Sequence, residues 1–476
     1  MPEAILQITE KDEAGNITAT HHSRSRRVQV MTGTAADVSK APRRCEELPP
    51  KVVGRVLARG VSAQRYGGLP ADSLQAFSSA IAGLLASRAV LEGVGVGDAS
   101  ASPTAALLLS ILQESTGRIA TILFAHRLGT SLEPECKMYR LLADMFNDAA
   151  MVLDCLSPIF PKPIRVVVLS FSSVLRALCG VAAGSSKASL SAHFARWGNL
   201  GELNAKDSSQ ETVISLLGML AGSMVVTWIT SPIATWTTLI LLLSIHLGMN
   251  YRAVRAVTMR TLNRQRANIV LSHYITCDEI LTPSHASAKE SIFDVGNELR
   301  DNIGRVIGSC EMGATLAELV NSLGEEEELT KSVQLRDSTL NRLMALYRSE
   351  RYIMWPEHGI QTARVILKEN CTPEDQLKAW YHALVTMYLV SGTLGAKRKF
   401  DRAAKEESLR SGQDGFTMFK TVQYALEQTS EDFQSLGSKL RRAGWDLDTA
   451  ALETHSGSRI AVDDVGPSGV GESIHQ

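Results

Sequence analysis

"TVISLLGMLAGSMVVTWITSPIATWTTLILLLSIHLGMNY", residues 212–251, runs for forty residues without an Asp, Glu, Lys or Arg. Ser231-Pro232 divides it into two helical runs, 213–229 and 233–249. At about 1.5 Å per residue each run is roughly 26 Å long, slightly short of an approximately 30 Å hydrocarbon layer. Neither run carries charge on any face, so neither is an ordinary surface helix. A membrane hairpin satisfies this pattern, and so does a hairpin buried in a large soluble bundle. The expectation taken forward is membrane insertion.

The polar segment "AKDSSQET" (205–212) stands directly before this stretch. Ser208 and Glu211 match the S-x-x-E capping box, in which the hydroxyl accepts from a backbone N–H three residues on and the carboxylate reaches back. Ser208 is therefore expected to be the N-cap of the first run. Capping leaves Lys206, Asp207 and Gln210 without a role and makes them candidate ligand-binding residues, with Glu211. On the far side, Arg252, Arg255, Arg260, Arg264 and Arg266 fall within fifteen residues. That suits a segment leaving a bilayer on its cytoplasmic face, and a solvated helix face accounts for it equally well.

The helical period extends outward from here. Residues 73–92 carry apolar residues at helical spacing and stop at "GVGVG"; 104–130 give two runs punctuated near Gly117. An amphipathic run at 134–156 ends before Pro158, Pro161 and Pro163, and apolar runs follow at 164–182 and 185–196. Beyond 285 the chain is more polar. "RYIMWPEHGIQTARVILK" (351–368) reads as two short strands about a turn. A helix should start at Pro373 with Thr372 as its N-cap, and another should lie around 416–443. The fold class is mainly α, a multi-helix apolar core with a smaller C-terminal α+β domain. The expected divisions are a disordered segment at 1–53, the helical core at 54–270, the α+β domain at 271–450 and a disordered tail at 451–476.

A net charge of −1 leaves no basic excess for nucleic acid. Seven scattered cysteines without a C-x-x-C pair argue against a zinc site and against a disulfide framework. The first residues, "MPEAILQITEKDEAG", lack the basic and apolar regions of a cleaved leader.

Few residues advertise chemistry. Arg140, Asp144, Asn147, Asp148 and Met151 share one face of the 134–156 helix. Asp144 and Asp148 are a candidate cation-binding pair. An Arg140–Asp144 ion pair on a solvated face is the plainer reading; burial of this helix among apolar ones would favour a functional polar pocket. "GVAAGSSKA" (180–188) is not a Walker A loop, because its second glycine comes one place early. Gly180/Gly184 and Gly218/Gly222 have the spacing that lets helices pack closely. Lys187 and His193 are further binding candidates. His246 and Asn250 lie one turn apart inside the charge-free stretch, as intramembrane polar residues or as satisfied core residues. No metal site, H-E-x-x-H or G-x-S-x-G is present.

Five strings occur together: "LQAFSSAIAGLLASRAVLEGVGVG", "KMYRLLADMFNDAAMVLDCLSPIFP", "GVAAGSSKASLSAHFA", "NAKDSSQET" and "NYRAVRAVTMRTLN". With them, from about Leu69 to Asn263, the chain resembles the root UVB-sensitive family. The resemblance implies membrane association, a link to vitamin B6 homeostasis and to light responses, and work in complexes with paralogues. It assigns no catalytic residues. Asp144, Asn147, Asp148, Lys187, His193, Lys206, Gln210, Glu211 and Asn250 are among the positions that match its motifs. The family's entry segment is reduced here to "RYGGLPA" (65–71), which puts any role of that segment in doubt.

Three functions are weighed. The first is a non-enzymatic protein, integral in the membrane of an intracellular organelle, that contacts lipid and a protein partner or paralogue. The second is a binder or transporter of a B6 vitamer with a polar pocket in the helical core. The third is an enzyme using pyridoxal phosphate with Lys187 as the Schiff-base amine. The absence of strand–helix alternation before residue 250 argues against the third.

Overall fold

The computed structural model describes residues 5–12, 17–24, 27–32, 69–94, 103–195, 199–294, 296–323, 325–326, 333–334, 337–357, 361–391, 415–454 and 457–465. The chain divides into two units, residues 47–259 and residues 1–46 with 260–476.

Six helices make up the described part of the first unit: α1 (Leu69–Val94), α2 (Pro103–Leu128), α3 (Cys136–Leu156), α4 (Lys162–Phe194), α5 (Leu200–Trp228) and α6 (Pro232–Ala256). Five of them, all but α3, are long and apolar enough to cross a membrane. Small residues share the interior with a few leucines such as Leu85 and Leu239, and many large apolar residues face outward. The small residues Ala82, Ala86, Ala143 and Ala182 are fully buried, while Leu108, Ile122, Leu220 and Met224 point outward. Small side chains let the backbones approach, as is usual where helices associate in lipid. Gly218 and Gly222 do this on α5: a Cβ at either would lie 2.7 Å from Ala80 or Leu84 of α1. Gly180 and Gly184, with the same spacing, have nothing within 4 Å.

Several helices are longer than the sequence pattern suggests. The two runs expected within 104–130 are one helix, because Gly117 is a contact point against Ser173 and Ala177 rather than a break. The runs at 164–182 and 185–196 merge into α4; a helical glycine costs only about 1 kcal/mol, too little to stop a 33-residue helix. α5 starts at Leu200 with Asn199 at its N-cap, so Ser208 lies in its interior and is not a cap. The Glu202–Lys206 pair at 2.5 Å supports the added turns. The Ser208 carbonyl accepts from Thr212 Oγ1 at 2.8 Å as any mid-helix carbonyl can. The cap of the hairpin lies at Ser231, whose side chain accepts from the Ala234 N–H ahead of Pro232 at the first position.

The second unit is α+β. β1 (Ile5–Lys11), β2 (Ile17–Arg24) and β3 (Arg27–Thr32) form an antiparallel ladder. The chain returns at α7 (Arg264–Cys277) and α8 (Pro283–Lys289), then β4 (Glu298–Arg300), β5 (Val306–Met312), α9 (Leu316–Leu323), the small hairpin β6 (Glu325–Glu326) and β7 (Val333–Gln334), and α10 (Asp337–Leu346). β8 (Tyr352–Pro356), β9 (Thr362–Lys368), α11 (Pro373–Ser391), α12 (Gly415–Ala443) and β10 (Arg459–Val465) complete it. The sheet order is β3-β2-β1-β10-β9-β5-β4, with β8 also on β9. Fully buried Trp380, Tyr381, Tyr352 and Leu271 fill the core, and Trp380 Nε1 donates to Asn268 Oδ1 at 3.2 Å. Thr372 caps α11: its Oγ1 accepts from Asp375 N–H at 3.2 Å, and Asp375 accepts from Thr372 N–H at 2.9 Å.

Both expected disordered ends contribute strands. β1 pairs along all seven of its residues with β10, Ile5 opposite Val465 and Lys11 opposite Arg459. Ile8 is buried in the core of this unit. A polar strand of this kind is stable only against a partner 448 to 460 residues away, so local composition cannot reveal it. Residue 270, taken from sequence as the end of the core, falls inside α7, whose Val270 and Leu271 belong to the core of the second unit.

Candidate functional site

α3 repeats a buried position every three or four residues, at Asp144, Asp148, Met151 and Cys155. Its lower half packs Met151 and Cys155 against Ala82 and Ala86 of α1 and Leu239 and Leu243 of α6. The same stripe continues upward with carboxylates instead of methyl groups, and there α6 presents His246. His246 Nδ1 is 2.7 Å from Asp148 Oδ1, and its Nε2 is 3.5 Å from Asp144 Oδ2. A neutral imidazole can donate to only one of these carboxylates, whereas an imidazolium donates toward both. Asp144 also accepts from Gln75 Nε2 of α1.

One turn further along α6, Asn250 Nδ2 donates to the Arg140 carbonyl at 3.4 Å. Ser79 of α1 lies within reach of Asn147 Nδ2 at 3.5 Å. Asp148 is 7% exposed and His246 3%, so both are cut off from bulk water. Asp148 Oδ2 is buried without a hydrogen-bond partner. Buried acceptors are nearly always satisfied, which makes this oxygen an exception among the buried groups.

The face read as Arg140–Asp144 plus solvent is thus an interior polar cluster, because α1 and α6 cover it. Gln75, which the sequence does not single out, adds to it, and Asp154 is a separate buried carboxylate on the α4 side of α3. Asp154 accepts from Ser172 Oγ at 2.6 Å and pairs with Arg176, both on α4. At about 100° per residue Asp154 lies roughly 80° round the helix from Asp144, on the face toward α4, so spacing does not join it to that pair.

The other candidates do not join this cluster. Lys187 of α4 holds Asp207 at 3.0 Å and Glu211 at 2.8 Å on α5, in a partly exposed network. Lys206 bonds Glu202, and Gln210 is exposed. His193 Nε2 lies 3.1 Å from the Thr258 carbonyl, with its ring against Phe194. Of residues 206–211, Asp207 and Glu211 meet Lys187, and none meets Asp144, Asp148 or His193 in a hydrogen bond or ion pair among the described residues. Among the described residues no group of three or more His, Cys, Asp or Glu side chains is arranged to hold a metal ion.

Two arginines order one end of the bundle. Arg88 Nη1 donates to the carbonyls of Val226 and Ile229 at 3.0 and 2.7 Å, and its Nη2 reaches Thr235 Oγ1 at 3.1 Å. Arg165 donates to the carbonyls of Ser157, Pro158 and Phe160 at 3.1, 3.1 and 2.9 Å and to that of Gly93. Each guanidinium satisfies helix-end carbonyls that would otherwise need water.

Fold and site together define a class: a bundle of long apolar helices with a buried carboxylate–imidazole cluster, joined to an α+β unit. Comparison with known proteins makes this more specific. Residues 69–278 match the vitamin B6 photo-protection and homoeostasis domain, and residues 279–456 match the root UVB sensitive protein C-terminal domain. The chain is 33% identical over 332 residues to protein root UVB sensitive 3 of Arabidopsis thaliana, covering 67% of this chain and 70% of that one. It is 40% identical over 237 residues to RUS family member 1 of Dictyostelium discoideum, covering 49% of this chain and 45% of that one. It is 24% identical over 323 residues to protein root UVB sensitive 2, chloroplastic, of Arabidopsis thaliana, covering 67% and 68%. The chain belongs to the root UVB sensitive family. No solved structure matches it.

Proposed function

We propose that this chain is an integral membrane protein of vitamin B6 homeostasis that acts by binding rather than by covalent chemistry. The observation that carries the membrane assignment is the outer surface of the bundle. Ile122, Val167, Leu220, Met224, Trp228 and Ile233 are each more than 60% exposed, on four different helices. Water-soluble monomers rarely expose contiguous apolar patches of more than a few hundred Å², whereas lipid tails cover such a surface at no cost. Extraction tests this assignment: the protein should stay with membranes at alkaline carbonate and high salt and leave only with detergent. Release by carbonate alone would end it. An intracellular organelle is the proposed location, in keeping with the relative named as chloroplastic.

Partner binding is assigned to the α+β unit, where Ile303 and Val306 stand exposed on the β4–β5 hairpin. A paralogue or second copy fits the family context.

A second reading places a B6 vitamer in the bundle, and one feature favours it: the open Asp148 Oδ2. A pyridinium N–H is a donor that carboxylates commonly hold in B6 sites. Lys187 is committed to Asp207 and Glu211, so this reading uses no Schiff base. Calorimetry on detergent-purified protein should show saturable binding of pyridoxine or pyridoxal phosphate, weakened at least tenfold by Asp148→Asn. A flat titration of the wild-type protein would remove this reading.

A further inference from the structure

We propose that α3, the helix that hydropathy alone passes over, is a sixth membrane span, and that the Asp144–His246–Asp148 cluster lies inside the bilayer. This rests on the membrane reading above.

The first argument is topological. Strand β1 pairs with β10, which pairs with β9, so residues 5–11 and 362–465 share one sheet. The chain leaves that unit before Leu69 and re-enters it after Ala256. A single sheet cannot straddle a membrane, so the intervening helices must cross an even number of times. The sequence of residues 33–68 holds seven Arg or Lys and three Asp or Glu, unlike the charge-poor composition of a membrane span. Among the described residues five helices qualify by length and composition. Five is odd, so one helix is missing from the count, or one of the five does not cross.

Side-chain contacts decide between these. α1 and α3 run in the same direction: Gln75, Ser79 and Gly83 meet Asp144, Asn147 and Met151 in order. α4 runs against α3, with Ser172 at Asp154, Ala182 packed with Ala143, and Ser189 at Glu133. α2 runs with α4, since Ser173 meets Gln113 and Gly117. α5 runs with α1, Gly218 against Ala80 and Gly222 against Leu84. α6 runs back, from Thr235 beside Arg88 to His246 beside Asp144 and Asp148. Six helices therefore alternate in direction, and α3 lies alongside its neighbours over its full length. At about 1.5 Å per residue its 21 residues span roughly 32 Å, enough for the hydrocarbon layer.

Its charges explain why composition excludes it, and its packing explains why it can still cross. Charged groups in a membrane survive where they face the bundle interior and are paired. Asp144 and Asp148 face His246, and Asp154 faces Ser172 and Arg176. Its exposed large apolar residue is Met145. His246 lies ten residues before Ala256 and fourteen after Pro232, so about 15 Å and 21 Å from the ends of α6. The cluster is thus close to mid-depth.

Glu133→Cys and Ile159→Cys flank α3 on exposed positions. Full-length variants in sealed membrane vesicles are treated with an impermeant maleimide, before and after permeabilisation, and adducts are located by peptide mass spectrometry. The proposal expects one of the two to react only after permeabilisation. It also expects Ile17→Cys and Asp448→Cys, on the α+β unit, to react from the same side as Glu133→Cys. Thr230→Cys reports the Ile159 face should that variant fail to fold. Glu133 and Ile159 reacting from one side, or Ile17 and Asp448 from opposite sides, would overturn it. Carbonate release from the same vesicles would instead defeat the membrane assignment itself, which separates the two failures.

Discussion

Substituting Gly218 by alanine should destabilise the bundle, while the same substitution at Gly184 should not. Both glycines lie inside helices and belong to small-xxx-small pairs. At Gly218 the new Cβ would sit 2.7 Å from Ala80 Cβ and 3.1 Å from the Phe77 carbonyl; at Gly184 nothing lies within 4 Å. The helix-propensity gain, up to about 1 kcal/mol, applies at both sites and cancels in the difference. What remains is overpacking between α1 and α5, for which cores show about 1–3 kcal/mol. Carbon atoms prefer about 3.5–4.0 Å, so the two backbones must separate by close to 1 Å at that point. The assay is denaturant unfolding of both variants in one detergent, with Ala80→Gly added to Gly218→Ala as a rescue. The expected order places Gly184→Ala at or above wild type and Gly218→Ala at least about 1 kcal/mol below Gly184→Ala; the double variant, which loses about 1 kcal/mol of propensity at residue 80, recovers the overpacking beyond that amount. Equal stabilities for the two single variants would refute the packing argument.

Further outcomes follow from other sites. His246→Leu strips two buried carboxylates of their shared partner and should cost about 3–5 kcal/mol, whereas combining it with Asp144→Asn and Asp148→Asn should restore much of that loss in the same unfolding assay. Thr372→Ala removes the α11 cap and should lower stability by about 1 kcal/mol; an unchanged midpoint would show that the cap is dispensable. His382 gives a pH dependence. It is buried, its Nε2 donating to the Val422 carbonyl at 3.2 Å and its Nδ1 accepting from Tyr352 at 3.3 Å, and loss of hydration pushes its pKa down to about 3. The unfolded chain binds a proton near pH 6.5 and the folded chain does not. Stability from this residue is therefore complete above about pH 6.5 and falls by about 1.4 kcal/mol per pH unit below it, toward pH 3. Unfolding of the full chain followed by tryptophan fluorescence between pH 7 and pH 5 should show that slope, and His382→Gln should flatten it.

The sequence disclosed these features unevenly. Long apolar periodicity made the helices of the bundle and the fold class plain, and Thr372-Pro373 marked α11 to the residue. Ser208 matches a capping box yet lies inside α5, because that pattern also occurs within helices and "LGELNAK" continues helix upstream. The terminal strands were invisible because their stability comes from β1 meeting β10 across the whole chain. Asp144, Asp148 and His246 each stand out in the sequence, but their meeting depends on how α3 and α6 pack. One-dimensional spacing fixes a face, not the neighbour opposite it. Gly180/Gly184 and Gly218/Gly222 make the same point: identical spacing, and only the second pair touches a helix.

The central claim is that the outer face of the bundle meets lipid. A carbene reagent dissolved in the hydrocarbon phase of native membranes, with adducts mapped by peptide, tests it without altering the protein. The account predicts adducts at Val167, Phe171, Leu216, Leu220 and Met224, which are all exposed, and none at buried Leu85, Ala143 or Leu239. Adducts confined to the α+β unit, or absent from α4 and α5, would contradict it.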